Sequence, residues 1–457
     1  AVHRCGEVIG RSAADLEGIL SGSARNLPRP FRGGSGGGRG DDRSGGRPSR
    51  RAARTALAAV VSALVATACA AGSTPEPTDP ANATGAPDTS LPPLVGRLLA
   101  DRPAPAVDVV EVWVCEVPAD TTADLYGDLP LRQPLTADGI VERIAAPVAR
   151  HLDELSHGAA TVELVAGGTV AMGRDDTDLE CVEAALAASR PDALAVLAVA
   201  TAEHVEGEPG GWGRPGSWLT CDGTCPARLT GRAAYVGASD FHPGWGPVPL
   251  LDLVLHEYLH TLGLPHSGTS TPGDDEYPSA LDVMSDSAAP RAVDPDRRDA
   301  ASTLAVNLLD LGWLDLDAAV TARTGDRTEV DLAPAAGDDG TRLLVLPVDE
   351  HRIVTVELRT ADGLDTHLPE SGVAVHVVDD RAGEDVLRVQ LPVHTTAEPF
   401  TDLLGPGEAL DVEGWRIEVR SVGDVARVVA DRRGSSGTSG YRAVTIVRWP
   451  RLATTPG

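Results

Sequence analysis

Three histidines, a glutamate and a glycine fall within eleven residues: HEYLHTLGLPH, in which His256, Glu257, His260, Gly263 and His266 form H-E-x-x-H-x-x-G-x-x-H. On a helix, positions four apart share a face with about 5–6 Å between their Cβ atoms, so His256 and His260 can grip one metal ion, and imidazole nitrogens suit Zn²⁺. Gly263 can adopt the left-handed conformation that ends a helix and Pro265 cannot continue one, so the chain turns back and offers His266 as a third nitrogen ligand. Three protein ligands leave one coordination position open, which is how catalytic rather than structural zinc is held. A water in that position has its pKa lowered to about 7, and Glu257 is placed to take its proton. The plainer alternative is an amphipathic helix with histidines by accident. With 12 histidines in 457 residues, a bare H-E-x-x-H arises in roughly one such chain in fifty, and adding Gly263 and His266 lowers this to on the order of 10⁻⁴ to 10⁻⁵.

The elements that must position these groups can be read around them. Leu251, Leu255, Tyr258 and Leu262 recur at the helical period, giving the motif helix an apolar stripe roughly opposite the histidines. Upstream, VDVVEVWVCEV from 107 reads as a buried strand and 140–155 as a helix with apolar Ile140, Ile144, Val148, Leu152 and Leu155. A strand around 160–165, a short helix over 179–189 and strands at 193–200 and 233–240 follow. This alternation predicts an α+β, α/β-like domain over 106–315: a twisted mixed sheet carrying helices, completed by a helix at 300–311. From 316 to 432 the pattern becomes short period-2 runs (TRLLVLPV, RIVTVELR, GVAVHVVD, VLRVQLP, WRIEVRSV, ARVVAD) between Gly, Asp and Pro turns, which predicts an all-β antiparallel sandwich. His351, His367, His376 and His394 in that region lack ligand spacing and read as ordinary histidines.

The extended motif resembles that of the metzincin metalloproteases, in which a tight turn bearing a methionine lies beneath the metal. Met284, in LDVMSD, stands 18 residues after His266. The resemblance implies His256, His260 and His266 as zinc ligands, Glu257 as general base and Met284 as the floor of the site. Asp286 occupies the place where some metzincins carry a tyrosine, so no tyrosine role is carried over. DVMS followed by Asn307 and Gly312-Trp313 is similar to bacterial secreted proteases of the immune inhibitor A-like or gametolysin-like kind. The activity implied is hydrolysis of peptide bonds in protein or peptide substrates. Two alternatives of other classes are a silent, zinc-stabilised adhesion or scaffold lipoprotein and a zinc hydrolase of cell-wall peptides. Calcium is not specified: DPDRRD at 294–299 lacks the spacing of a calcium loop and reads as a solvated turn.

The rest of the chain bears on location and partners. The formal charge of −28 disfavours a phosphate backbone, so nucleic acid is not an expected partner. All 39 basic residues are arginine. Residues 1–47, rich in Gly, Ser and Arg, read as a disordered extension or a misassigned start. Arg47, Arg50, Arg51 and Arg54 precede an apolar run at 56–68 ending in ATAC, so 48–69 has the layout of an export signal with a lipobox whose lipidated residue is Cys69. Simple secretion and an ordinary buried segment are the alternatives, and SRRAART is a poor twin-arginine match. The expected location is the outer face of the cytoplasmic membrane, held by an N-terminal lipid anchor, or the medium. Residues 70–105, rich in Pro, Thr and Ala, read as a flexible linker, and 433–457 as a flexible tail. In an exported chain Cys221 and Cys225 of CDGTC suggest a small-loop disulfide, leaving Cys115 and Cys181 either to pair or to remain as free buried thiols. Trp212 and Trp218, in the Gly-rich loop 205–226, read as packing anchors, with a place on a cleft rim as the alternative.

Overall fold

A computed structural model describes residues 91–100, 107–121, 132–202, 210–216, 231–241, 251–269, 279–285, 301–323, 325–381, 387–391 and 401–432. The chain mixes helices with three sheets. It opens with α1 (Pro93–Ala100), then β1 (Val107–Glu116), α2 (Ala137–Leu155), β2 (Thr161–Ala171), α3 (Asp178–Ala188), β3 (Ala195–Ala200), β4 (Gly211–Arg214) and β5 (Arg232–Val236). The first sheet has the order β2-β1-β3-β5-β4 and is parallel except for β4, which runs antiparallel to β5 at the edge. β1 and β3 are near-continuous apolar runs because, as inner parallel strands, they are covered on both faces. Thr136 caps α2, its Oγ1 accepting from Gly139 N at 3.1 Å, and Ile140, Ile144, Val148, Leu152 and Leu155 are all buried, as their spacing predicts. A disulfide joins Cys115 of β1 to Cys181 of α3.

The motif helix α4 (Leu251–Thr261) packs on this sheet, followed by β6 (Ser267–Thr269) and α5 (Ala305–Leu311). After these come β7 (Ala319–Thr321), β8 (Thr328–Leu332), β9 (Leu343–Pro347), β10 (Arg352–Arg359), β11 (Gly372–Asp379), β12 (Leu387–Leu391), β13 (Ala409–Val412), β14 (Trp415–Ser421) and β15 (Ala426–Arg432). They form a six-stranded sheet β6-β12-β11-β10-β9-β7 and a four-stranded sheet β13-β14-β15-β8. One buried cluster, with Leu344, Val356 and Val375 from the first and Trp415, Ile417 and Val428 from the second, lies between them.

Several expectations are corrected. Part of the linker read over 70–105 is ordered: α1 buries Leu94, Val95 and Leu98 in the main core, because Leu94 and Leu98 stand one helical turn apart and find apolar partners on α5. The C-terminal strands are not wholly antiparallel, since β7 runs parallel to β9 and β6 parallel to β12. Nor do the two halves separate at 315. β6 lies in the histidine segment yet belongs to the six-stranded sheet, and the main core takes in Leu343, Val345, Ile353 and Val378. The helix expected from 300 begins at Ala305, with Leu304 extended. The strand expected to reach 240 stops at Val236 and gives way to a 3₁₀ turn, Ala238–Phe241. Cys69, the 1–47 and 48–69 segments, Cys221, Cys225, Trp218, Asp286, 294–299, His394 and 433–457 lie outside the described residues. Among the described residues no helix is long and apolar enough to cross a membrane.

Candidate metal centre

α4 is more deeply enclosed than a two-faced helix: every residue from Leu251 to Thr261 is buried except the half-buried Leu253. Full burial of a leucine side chain contributes roughly 1.5–3 kcal/mol, so Leu251, Leu255 and Leu259 alone anchor the helix firmly. One side is held by a buried polar contact. Tyr258 donates its hydroxyl to Asp108 Oδ2 at 2.8 Å, and Arg232 bridges Asp108 at 2.6 Å to the carbonyl and hydroxyl of Thr261, each at 3.0 Å. The other side is covered by β4, whose glycines leave room for it. A Cβ at Gly213 would lie 1.9 Å from Glu257 O and 2.7 Å from His260 Cβ, and one at Gly211 would lie 3.1 Å from Glu257 Oε1. Trp212, between them, turns to the opposite face, donates Nε1–H to Asp178 Oδ2 at 2.7 Å and stacks on Tyr235, so it is a packing anchor.

The helix ends where the glycine permits. Gly263 has φ +95°, its N–H bonds to His260 O and that of Leu264 to Leu259 O, and the chain turns so that His266 returns to the first two histidines. The ligand atoms of His256, His260 and His266 all lie within 4.8 Å of one another, a group able to hold a metal ion. Nε2 of His260 lies 3.1 Å from that of His256 and 2.8 Å from that of His266.

The ring orientations test whether a cation fits. His256 Nδ1 stands 2.7 Å from Val283 O and His260 Nδ1 2.7 Å from Leu264 O. A carbonyl only accepts, so each Nδ1 carries the proton and each Nε2 presents a lone pair. Burial pushes all three imidazole pKa values down, reinforced for His260 and His266 by the neighbouring rings, to about 2 for His260 and about 3 for His266. At neutral pH the facing Nε2 atoms of His256 and His260 are therefore both unprotonated, with no proton to bridge them. A cation between them satisfies both lone pairs, and backbone carbonyls behind the rings are the usual partners of metal-bound histidine.

Met284 is fully buried in a tight turn, closed by Ser285 N to Asp282 O at 2.9 Å. The turn's backbone does the positioning: Val283 O holds His256, and Met284 O accepts from Ser267 N, the residue after His266, at 2.9 Å. Asp282, fully buried, shapes the turn. Its Oδ1 accepts from Met284 N at 3.1 Å and Thr303 Oγ1 at 2.8 Å, and its Oδ2 accepts from Ser267 Oγ at 2.7 Å and Asn307 Nδ2 at 3.1 Å.

The structure thus brings together the three predicted ligands and sets the Met284 turn against them, with Glu257 on the same helix. Sequence reasoning did not find Asp282, Asp108, Arg232 or the glycines of β4. Two signals were present: an aspartate two residues before the methionine suits a side-chain-closed turn, and Gly-x-Gly strips one face of a strand for close backbone approach. His351, His367 and His376 lie outside the three-histidine group. His351 bonds Asp380, His367 bonds Ala280 O, and His376 is buried on β11. Compared with models of known protein families and with curated protein sequences, the chain matches none.

Proposed function

We propose that the chain is a zinc-dependent endopeptidase of the metzincin kind that hydrolyses peptide bonds in protein substrates. The observation that carries this reading is the convergence of three imidazoles, two of which, His256 and His260, turn an Nε2 lone pair into the group because a backbone carbonyl holds their Nδ1–H, with a carboxylate, Glu257, next to the first of them. His256, His260 and His266 would hold a zinc ion, which would supply Lewis acidity for polarising the carbonyl and lowering the pKa of the attacking water. Glu257 takes the proton from that water and delivers it to the leaving nitrogen, so the same carboxylate is base and then acid. Its burial beside Gly211 keeps it close to the helix, and the backbone-bonded rings of His256 and His260 need no reorganisation as the reaction proceeds. Met284 floors the site. A structural metal site has no use for a general base, which is why the endopeptidase reading is preferred to a silent scaffold.

The same reading places the chain outside the cytoplasm, attached through a lipid on Cys69 or secreted. The Cys115–Cys181 disulfide supports an oxidising compartment. The test is hydrolysis of casein by the parent and by Glu257→Ala, each with measured zinc content. The parent cleaves, chelation abolishes cleavage, and Glu257→Ala keeps its zinc with activity lowered by about 10²–10⁴. A Glu257→Ala protein as active as its parent would overturn the assignment.

A further inference from the structure

The turn that holds His256 and Ser267 is itself held from the C-terminal strands. Val283 N bonds to Ser302 O at 2.9 Å, and Thr303 donates its hydroxyl to Asp282. Segment 302–305 is gripped in turn by three buried charged side chains some 50–60 residues later. Arg359 Nη1 donates to Thr303 O at 3.1 Å, Glu357 Oε2 accepts from Ala305 N at 2.6 Å, and Asp365 Oδ1 accepts from Ser302 N at 3.2 Å. The three also bind one another, Arg359 bonding Glu357 Oε1 at 3.0 Å and Asp365 Oδ2 at 2.9 Å. All three are almost completely buried. A second tether comes from the same sheet: β6, which starts at the residue after His266, is paired with β12 through Ser267, Gly268 and Thr269.

Buried ion clusters are poor stabilisers, since packed apolar residues of similar volume are often as stable or more so. What they supply is direction, and here each side chain's direction ends on the backbone of 302–305. We infer that Glu357, Arg359 and Asp365 are positioning residues of the metal centre: through segment 302–305 and Asp282 they hold the Met284 turn, and with it His256 and His266, in ligating geometry. The C-terminal strands are then part of the metal centre's outer support, not an appended module. This rests on the three-histidine group holding a metal ion.

The experiment uses the full chain and Co²⁺ as a spectroscopic probe, reading affinity by chelator competition, the visible d–d absorption and the melting temperature. Three variants are compared with the parent. Glu357→Gln/Arg359→Met/Asp365→Asn removes the three charges together, so that none of these three is left without its partners. Thr303→Val removes the hydroxyl that donates to Asp282 and accepts from Asn307, leaves the three charged side chains in place, and guards against failure of the first to fold. Val356→Ala, whose side chain lies in the cluster between the two C-terminal sheets, destabilises without touching the relay. The first two bind Co²⁺ about 10–100-fold more weakly, the usual cost of losing outer support, with shifted d–d bands. Val356→Ala melts earlier but keeps the parent's affinity and spectrum. Parent-like affinity and spectrum in the first two, or an equal change in Val356→Ala, would overturn the inference. A parent that takes up neither Co²⁺ nor Zn²⁺ would instead overturn the metal-centre reading, and this inference with it.

Discussion

At the scale of single residues the centre is defined by protons as much as by atoms. His256 and His260 commit their only N–H to carbonyls, and all three ligands have pKa values lowered by burial. That has a consequence for stability in the metal-free protein. As pH falls below the ordinary histidine value of 6.5, the unfolded chain takes up protons on these imidazoles. The folded chain takes them up only near pH 2–3 at His260 and His266. The unfolded state binds more protons across that window, so stability is fully present above 6.5 and is lost as pH falls. The urea midpoint of the metal-free protein is therefore expected to drop between pH 7 and pH 5, and to drop less in His260→Asn. A midpoint that is flat or rises on acidification would contradict the protonation states assigned here.

At the scale of elements, the metal helix is built to be approached by backbone. Gly213→Ala places a methyl group where Glu257 O already lies, so β4 and α4 must part. Overpacking of this kind costs about 1–3 kcal/mol and should weaken metal binding as well, because His260 is the next contact. Gly216→Ala, whose Cβ meets only ordinary contacts, is the control and should leave both unchanged. Thermal melts and chelator titration of the two variants decide the matter; equal behaviour would remove β4 from the account. Elements of this length also mark what the sequence could and could not reveal. α2, β1, β10 and β11 carry their own period and are read directly. GWGR has four residues, two of them glycine, and presents no alternation; β6 has three and exists because β12 pairs with it. Ligand spacing within α4 is a local property, whereas Asp282, Glu357 and Arg359 matter only through partners far away in the chain, and nothing local announces them.

Across the whole molecule, the apolar core does not respect the change of pattern at 315. α1 and strands β9 and β10 share one cluster with α4 and α5, and Arg97 of α1 donates Nε–H to Asp380 Oδ2 at 2.7 Å, tying the first described helix to the end of β11. Composition alone hides α1: its eight residues follow a Pro- and Thr-rich stretch, and only the spacing of Leu94 and Leu98 marks them. Leu94→Ala should destabilise by about 2–5 kcal/mol, the range for truncating a fully buried leucine. Chemical denaturation measures it, and a change below about 0.5 kcal/mol, typical of surface sites, would mean that α1 is not part of the folded unit. All of this architecture converges on one group of atoms, and the most direct measurement is zinc per chain by elemental analysis of the purified parent and of His260→Ala. The parent is expected to hold about one zinc ion and the variant, left with two ligands, almost none. A parent without zinc, or a variant that keeps as much, would contradict the central claim that His256, His260 and His266 together make the metal centre.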